Sequence, residues 1–265
     1  MENEFEHRLI PLASIKSGKE TTVSPTVHGY LDRIVNVFFI ENPDTKEWVL
    51  VDAGVPDTAG NIKQAAAELF GEGATPACII LTHGHFDHVG SIVELVKEWN
   101  VPVYAHELEL PYLTGQLDYP EGNTNAGGGL ITKMSKTFPN AGIDLSRHVR
   151  LIPLDHQVPH LPGWQWIHTP GHTPGHISLF QPEDKVLIAG DAFTTVQQES
   201  LHKVLTQHKE FNGPPRYFTM DEQEAYRSIW KLKDLHPKAA GTGHGMPAFL
   251  EELEEGLKKL TEANE

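Results

Sequence analysis

The chain has 265 residues, 39% hydrophobic and 22% charged, with 21 Lys and Arg against 36 Asp and Glu and a formal net charge of −15. That length supports a substantial core, and the acidic balance argues against nucleic acid as a partner, because phosphate binding needs positive surface. A single cysteine, Cys78, rules out an internal disulfide and a cysteine-based zinc cluster.

The opening residues MENEFEHRL are acidic and lack the basic-then-apolar layout of a secretory signal. The longest apolar stretch, Ile34–Ile40, is far too short to cross a bilayer. The expected location is the cytoplasm, with no membrane partner. One count stands out, 16 histidines, since imidazole is the commonest metal ligand.

In chain order, Ile34–Ile40 and Trp48–Asp52 read as a β-hairpin around the turn-rich ENPDTKE. Asn61–Phe70 reads as a helix stopped at Gly71. Ala77–Leu81 is a short continuous apolar run, the mark of a strand buried on both faces. Val89–Trp99 has helical spacing, and Val101–Ala105 returns to strand. His106–Arg150 is too irregular for an ordinary connection and reads as an inserted cap with short helices. Strands resume at Val149–Leu154, Gln165–His168, Ile177–Phe180 and Val186–Ala189. A second irregular insertion, Thr194–Thr219, precedes helices over Asp221–Leu235 and Pro247–Ala263. No segment resembles an interdomain linker, so residues 1–265 are expected to form one domain with insertions at about 106–150 and 194–219.

The chemistry centres on Thr82-His83-Gly84-His85-Phe86-Asp87-His88, which follows the buried strand and opens a helix. His83 and His85 sit in a turn where both rings can converge on one point; Asp87 and His88 can aim at a second point beside it. Imidazole and carboxylate donors suit zinc or another borderline first-row metal. Further on, Thr169-Pro170-Gly171-His172-Thr173-Pro174-Gly175-His176 is a glycine-shaped turn between strands. Asp191 ends the strand Val186–Gly190, and His244 lies in Gly241-Thr242-Gly243-His244-Gly245.

This set resembles the metallo-β-lactamase superfamily, whose pattern is H-x-H-x-D-H followed by His, Asp and His. The resemblance spans about residues 34–247. It implies an α/β fold, an αβ/βα sandwich of two mixed sheets face to face with outer helices and the metal site at one edge. By residue correspondence it implies one metal on His83, His85 and His172, a second on Asp87, His88 and His244, and Asp191 bridging both. Two divalent metal ions per chain are expected, zinc first, with iron, manganese, cobalt and nickel compatible. The implied chemistry is attack by metal-bound hydroxide, with Asp87 orienting it and later passing a proton to the leaving group. Asp52 matches a frequent family acid; it either supports a ligand histidine by holding its tautomer or is purely structural. His176 reads as a packing or supporting residue rather than a ligand.

Within the family, Asp191 argues against true metallo-β-lactamases, and the acidic charge against tRNA-processing nucleases. Glyoxalase II carries a helical C-terminal domain, whereas only residues 245–265 follow His244. Quorum-sensing lactonases usually have a tyrosine just after the bridging aspartate, where this chain reads Asp191-Ala192-Phe193-Thr194. Tyr217 is either a substitute phenol or a packing aromatic. The expected function is hydrolysis of a carbonyl ester (lactone, ester or thioester) on a small-molecule substrate. A mononuclear iron persulfide dioxygenase and a phosphodiesterase are the alternatives on the same fold. Apolar residues of the insertions, namely Leu110, Tyr112, Leu113, Met134, Phe138, Phe211 and Phe218, are expected to wall the mouth of the site.

Overall fold

The computed structural model describes residues 12–262. The MENEFEHRL segment and Ala263, the last residue of the expected C-terminal helix, lie outside the described residues.

Seven strands form a first sheet in sequence order: β1 (Glu20–Ser24), β2 (Val27–Asp32), β3 (Val35–Glu41), β4 (Trp48–Val51), β5 (Cys78–Ile80), β6 (Val103–Ala105) and β7 (Val149–Leu151). The first four pair antiparallel and β4 to β7 pair parallel. The second sheet holds β8 (Gln157–Val158), β9 (Leu161–His168), β10 (Ile177–Gln181), β11 (Val186–Ile188), β12 (Ala239–Gly241) and β13 (Ala248–Phe249) in the order β13-β12-β11-β10-β9-β8. Only β11 and β12 pair parallel there.

Side-chain alternation along the strands builds the layers. In β3, Phe38 and Ile40 face the second sheet and pack with Ile177, Leu179 and Ile188. Val37 and Phe39 face the other way, onto α1 (Ala59–Phe70) and α3 (Ile92–Trp99), through Ile62, Ala65, Ile92 and Leu95. The outer face of the second sheet packs Phe180, Leu187 and Ala240 against Ile229 and Leu232 of α7 (Glu222–Lys233) and Leu253 and Leu257 of α8 (Leu250–Glu262). The layers therefore run helix, sheet, sheet, helix. The unbroken apolar runs of β3, β4 and β5 follow from burial on both faces.

Several elements depart from the sequence expectation. Strands β1 and β2 extend the first sheet where no strand was expected, since ETTVS and VHGYLD mix polar with apolar residues and offer no continuous apolar run. The helix expected over Val89–Trp99 begins earlier and is divided into α2 (Phe86–Val89) and α3, with Ser91 Oγ donating to Val55 O at the break (2.7 Å). The last helix starts at Leu250 rather than Pro247, because Ala248–Phe249 pairs with β12. The two insertions carry short helices, α4 (Leu110–Leu113), α5 (Leu130–Met134) and α6 (Leu201–Thr206), and Glu107–Glu109 forms a 3-10 turn ahead of α4. No helix among the described residues is long and apolar enough to cross a membrane.

Candidate metal centre

The site lies at one edge of the sandwich, where strand ends from both sheets meet. The β5 end delivers His83, His85, Asp87 and His88; the β9–β10 turn delivers His172; the β11 end delivers Asp191; and the β12 end delivers His244. All seven are buried. Potential ligand atoms converge in three sets: His83, His85 and His172; His83, His88 and Asp191; and Asp87, His88 and His244, each within 4.8 Å of one another. Asp191 reaches toward both halves, with carboxylate oxygens 3.6 Å from His88 Nε2, 3.6 Å from His172 Nε2 and 3.3 Å from His244 Nε2.

The surrounding hydrogen bonds set the tautomers. Asp52 Oδ2 accepts from His88 Nδ1 (2.8 Å) and Thr82 Oγ1 (2.8 Å), and Asp52 Oδ1 accepts from Thr82 N (2.8 Å). Thr82 Oγ1, having donated its proton, accepts from His83 Nδ1 (3.0 Å). Thr219 Oγ1 donates to Pro215 O (2.8 Å) and so accepts from His172 Nδ1 (3.3 Å). His244 Nδ1 donates to Ile34 O (2.9 Å). In each of these four histidines Nδ1 carries a proton and Nε2 faces the site. That nitrogen offers a lone pair in the neutral ring; at His88, burial is outweighed by Asp191 and Asp52, which favour the doubly protonated form when no cation is bound. Asp52 therefore touches His88 as a supporting acid would, from a left-handed backbone position (φ +63°). His176 has both nitrogens engaged within the protein: Nδ1 with Thr169 Oγ1 (2.8 Å), and Nε2 accepting Asp191 N–H (2.9 Å). It fixes the backbone that carries Asp191.

These donors fit a metal pair. His83 Nε2, His88 Nε2 and Asp191 Oδ1 are buried with no hydrogen-bond partner, an arrangement that costs about 1–3 kcal/mol per group. His85 Nδ1 and His172 Nε2 stand 3.0 Å apart, lone pair toward lone pair unless a proton or cation lies between them. Burial drives His83 and His172 well below the usual imidazole range, aided by neighbouring histidines, and lowers His85 to about 4; neutral imidazole is the form that ligates. Burial opposes protonation of His244 too, but Asp191 and Asp87 outweigh it and push this ring up to about 10. The carboxylates thus carry more negative charge than the site's other groups neutralise without a proton or cation.

Of the residues expected to wall the mouth, Phe138 and Phe218 line a small cavity against Asp87, together with Ile131, Tyr217 and Gln198. Tyr112 instead stacks on Tyr119 (4.0 Å between ring centroids), Leu113 joins the core under α1 and α3, and Phe211 packs on Phe193 beneath α8. Leu110 and Met134 are half-buried in their short helices. The sequence reading missed Thr82 and Thr219, whose hydroxyls set histidine tautomers, and Gln198, whose buried Nε2 has no partner. A threonine immediately before His83 is the only local signal for any of them.

Comparison with known proteins shows the family. The family model described as "Metallo-beta-lactamase superfamily" matches residues 30–244. A Bacillus subtilis (strain 168) protein named "Probable metallo-hydrolase YflN" is 48% identical over 252 residues, 95% of this chain and 96% of that one. Hydroxyacylglutathione hydrolase GloC of Haemophilus influenzae is 32% identical over 115 residues, 43% of this chain and 48% of its own. Among solved structures, TTHA1623 in a di-iron-bound form superposes with a TM-score of 0.57 at 25% identity, covering 92% of this chain and 98% of that one. The chain belongs to the metallo-beta-lactamase superfamily, and it is a metal-dependent hydrolase.

The aligned stretch is a larger share of GloC than of this chain, so that hydroxyacylglutathione hydrolase is shorter than 265 residues.

Proposed function

We propose that the chain is a two-metal hydrolase that cleaves a small carbonyl ester: a lactone, ester or thioester. The observation that carries this reading is the convergence of seven buried ligand groups, Asp191 among them, with three ligand atoms lacking any hydrogen-bond partner in the protein. His83, His85 and His172 would hold one cation, Asp87, His88 and His244 the other, and Asp191 both. Zinc suits this mixed imidazole and carboxylate set, and iron, manganese, cobalt and nickel are compatible with it. Two divalent cations there supply an acidified water and a polarised carbonyl.

The protein's own groups do the rest. Asp87 Oδ2 lies 3.4 Å from His244 Nε2 and borders the aromatic cavity, so it is placed to orient a nucleophilic water and carry a proton to the leaving group. Phe138, Phe218, Tyr217 and Ile131 make the surface beside Asp87 apolar around a hollow of about 10 Å³, room for one water, so an apolar acyl chain or ring would lie against this wall rather than inside it. The −15 net charge disfavours polyanionic substrates. Together with the lone cysteine, it is consistent with a cytoplasmic enzyme of small molecules and no nucleic-acid partner. Elemental analysis of fully metallated protein tests the reading: two metals per chain are expected. A single tightly held iron with persulfide oxygenation would replace it with the dioxygenase alternative.

A further inference from the structure

The first insertion sends one carboxylate into the interior behind the metal centre. Glu109, the last residue of the 3-10 turn ahead of α4, is fully buried. Its Oε2 accepts from Gly84 N (3.0 Å) and from the Tyr119 hydroxyl; its Oε1 accepts from Gly175 N (2.8 Å) and Thr173 Oγ1 (2.7 Å). Gly84 lies between His83 and His85, while Thr173 and Gly175 lie on either side of Pro174 just beyond His172. One carboxylate thus joins the two loops that carry the three histidines. It touches none of the rings.

Two glycines record how closely this strut fits. A Cβ on Gly84 would sit 2.7 Å from the Tyr119 hydroxyl, and a Cβ on Gly175 would sit 2.8 Å from Glu109 Cγ and from its backbone N. Either substitution would push the strut away from its loop. No cation faces Glu109 in these contacts; all four partners are hydrogen-bond donors, so the group acts as an acceptor on every side. A glutamine there has only one acceptor oxygen, and its amide would point N–H groups at donors on the other side, leaving buried donors unpaired.

We infer that Glu109 is a positioning residue for the three-histidine half of the metal centre, holding the Gly84 and Thr173–Gly175 loops at the separation that lets His83, His85 and His172 share one cation. The inference rests on the two-metal reading, and it adds a role for the insertion beyond covering the site. In the half formed by Asp87, His88 and His244, Asp52 and Ile34 O hold His88 and His244 instead, with Asp52 also reaching His83 through Thr82 Oγ1.

The test is metal binding by Glu109→Gln, measured by chelator competition, with cadmium NMR to tell the two differently liganded sites apart. Phe39→Ala, which removes a buried ring packed on Trp48 and Phe70, serves as a comparator of similar or greater destabilisation. Glu109→Gln is expected to weaken the three-histidine site ten- to hundredfold, as loss of a ligand's supporting hydrogen bonds does elsewhere, with the other site within threefold of wild type. Wild-type affinity at both sites in folded Glu109→Gln overturns the inference. So does equal weakening of both sites, and so does a loss that Phe39→Ala reproduces. Should Glu109→Gln not fold, Tyr119→Phe and Thr173→Val each remove one donor to the same carboxylate and must show the same site bias at smaller size. A wild-type chain that binds no metal on the three histidines refutes the two-metal reading itself, a result distinct from two metals held equally well by wild type and variant.

Discussion

His85 and His172 lie 87 residues apart in sequence, yet Nδ1 of one stands 3.0 Å from Nε2 of the other inside a buried site. With a proton on His85 Nδ1 the contact is a hydrogen bond, and with both lone pairs free the two atoms can share one cation, which stabilises the fold by binding the native state alone. Metal removal is therefore expected to destabilise the fold. Chelation should lower Tm, and adding zinc back should restore it in a concentration-dependent way, by about 2.7 kcal/mol at a free zinc concentration one hundred times Kd. Thermal denaturation with and without chelator checks this; an unchanged Tm in demonstrably metal-free protein goes against it.

Asp191→Ala should lose metal and activity together, because its carboxylate approaches His88, His172 and His244 at once. His176→Ala should keep both metals, since both of its ring nitrogens are engaged within the protein, with Thr169 Oγ1 and with the backbone N–H of Asp191. Metal content and kcat/KM of the two variants decide the matter. Loss of a metal from His176→Ala but not from His172→Ala would show that the wrong histidine of that turn has been assigned as ligand.

Asp52→Asn tests the support beneath His88. Asparagine tolerates the left-handed backbone at this position, but it cannot accept on both sides from Thr82 and His88. Metal affinity at the Asp87, His88 and His244 set should fall ten- to hundredfold, with the fold intact by circular dichroism. Unaltered affinity would make Asp52 a purely structural acid.

Much of this site was legible because its ligands are local and punctuated. H-x-H-x-D-H is contiguous, and Asp191 and His244 each stand at a strand end among small residues. The supporting groups were not legible, because they act only after the chain closes on itself. Glu109 sits in Glu107-Leu108-Glu109, which in isolation looks like a solvated turn, and Thr219 meets His172 from 47 residues away. In the fold, the strands buried on both faces announced themselves by continuous apolar runs. Strands β1 and β2, whose apolar residues are interrupted by polar ones such as Thr21, Thr22 and His28, did not.

Phe39→Ala should cost about 3–5 kcal/mol, as for other buried aromatic truncations. Its ring is fully buried and packs 5.7 Å from Trp48 and 6.3 Å from Phe70. Both metals should remain, since the Phe39 ring packs on Trp48 and Phe70 rather than on a ligand. Urea denaturation measures the cost and elemental analysis the retention.

Asp32 gives a pH signature separate from the metal ligands. Burial raises its carboxyl to about 6 from 3.8, against the lowering effect of hydrogen bonds from Thr58 and Val55. The native state therefore holds this proton between about pH 4 and 6 while the unfolded chain has released it, so this group's contribution to stability falls as pH rises through that window and is constant above it. Measured as wild type minus Asp32→Asn, which cancels the effect of metal release, stability should drop by up to about 3 kcal/mol from pH 4 to pH 7. A flat difference, or one that rises with pH, would show that Asp32 is ionised throughout.

The most direct test of the proposed activity compares kcat/KM for lactones, carboxylic esters, thioesters and phosphodiesters on the same two-metal preparation. The apolar wall of Phe138, Phe218, Tyr217 and Ile131 beside Asp87 predicts that a carbonyl ester leads by at least tenfold, a transition-state preference of about 1.4 kcal/mol. A tenfold lead for phosphodiesters would contradict the carbonyl-ester account and assign the site to phosphoryl chemistry.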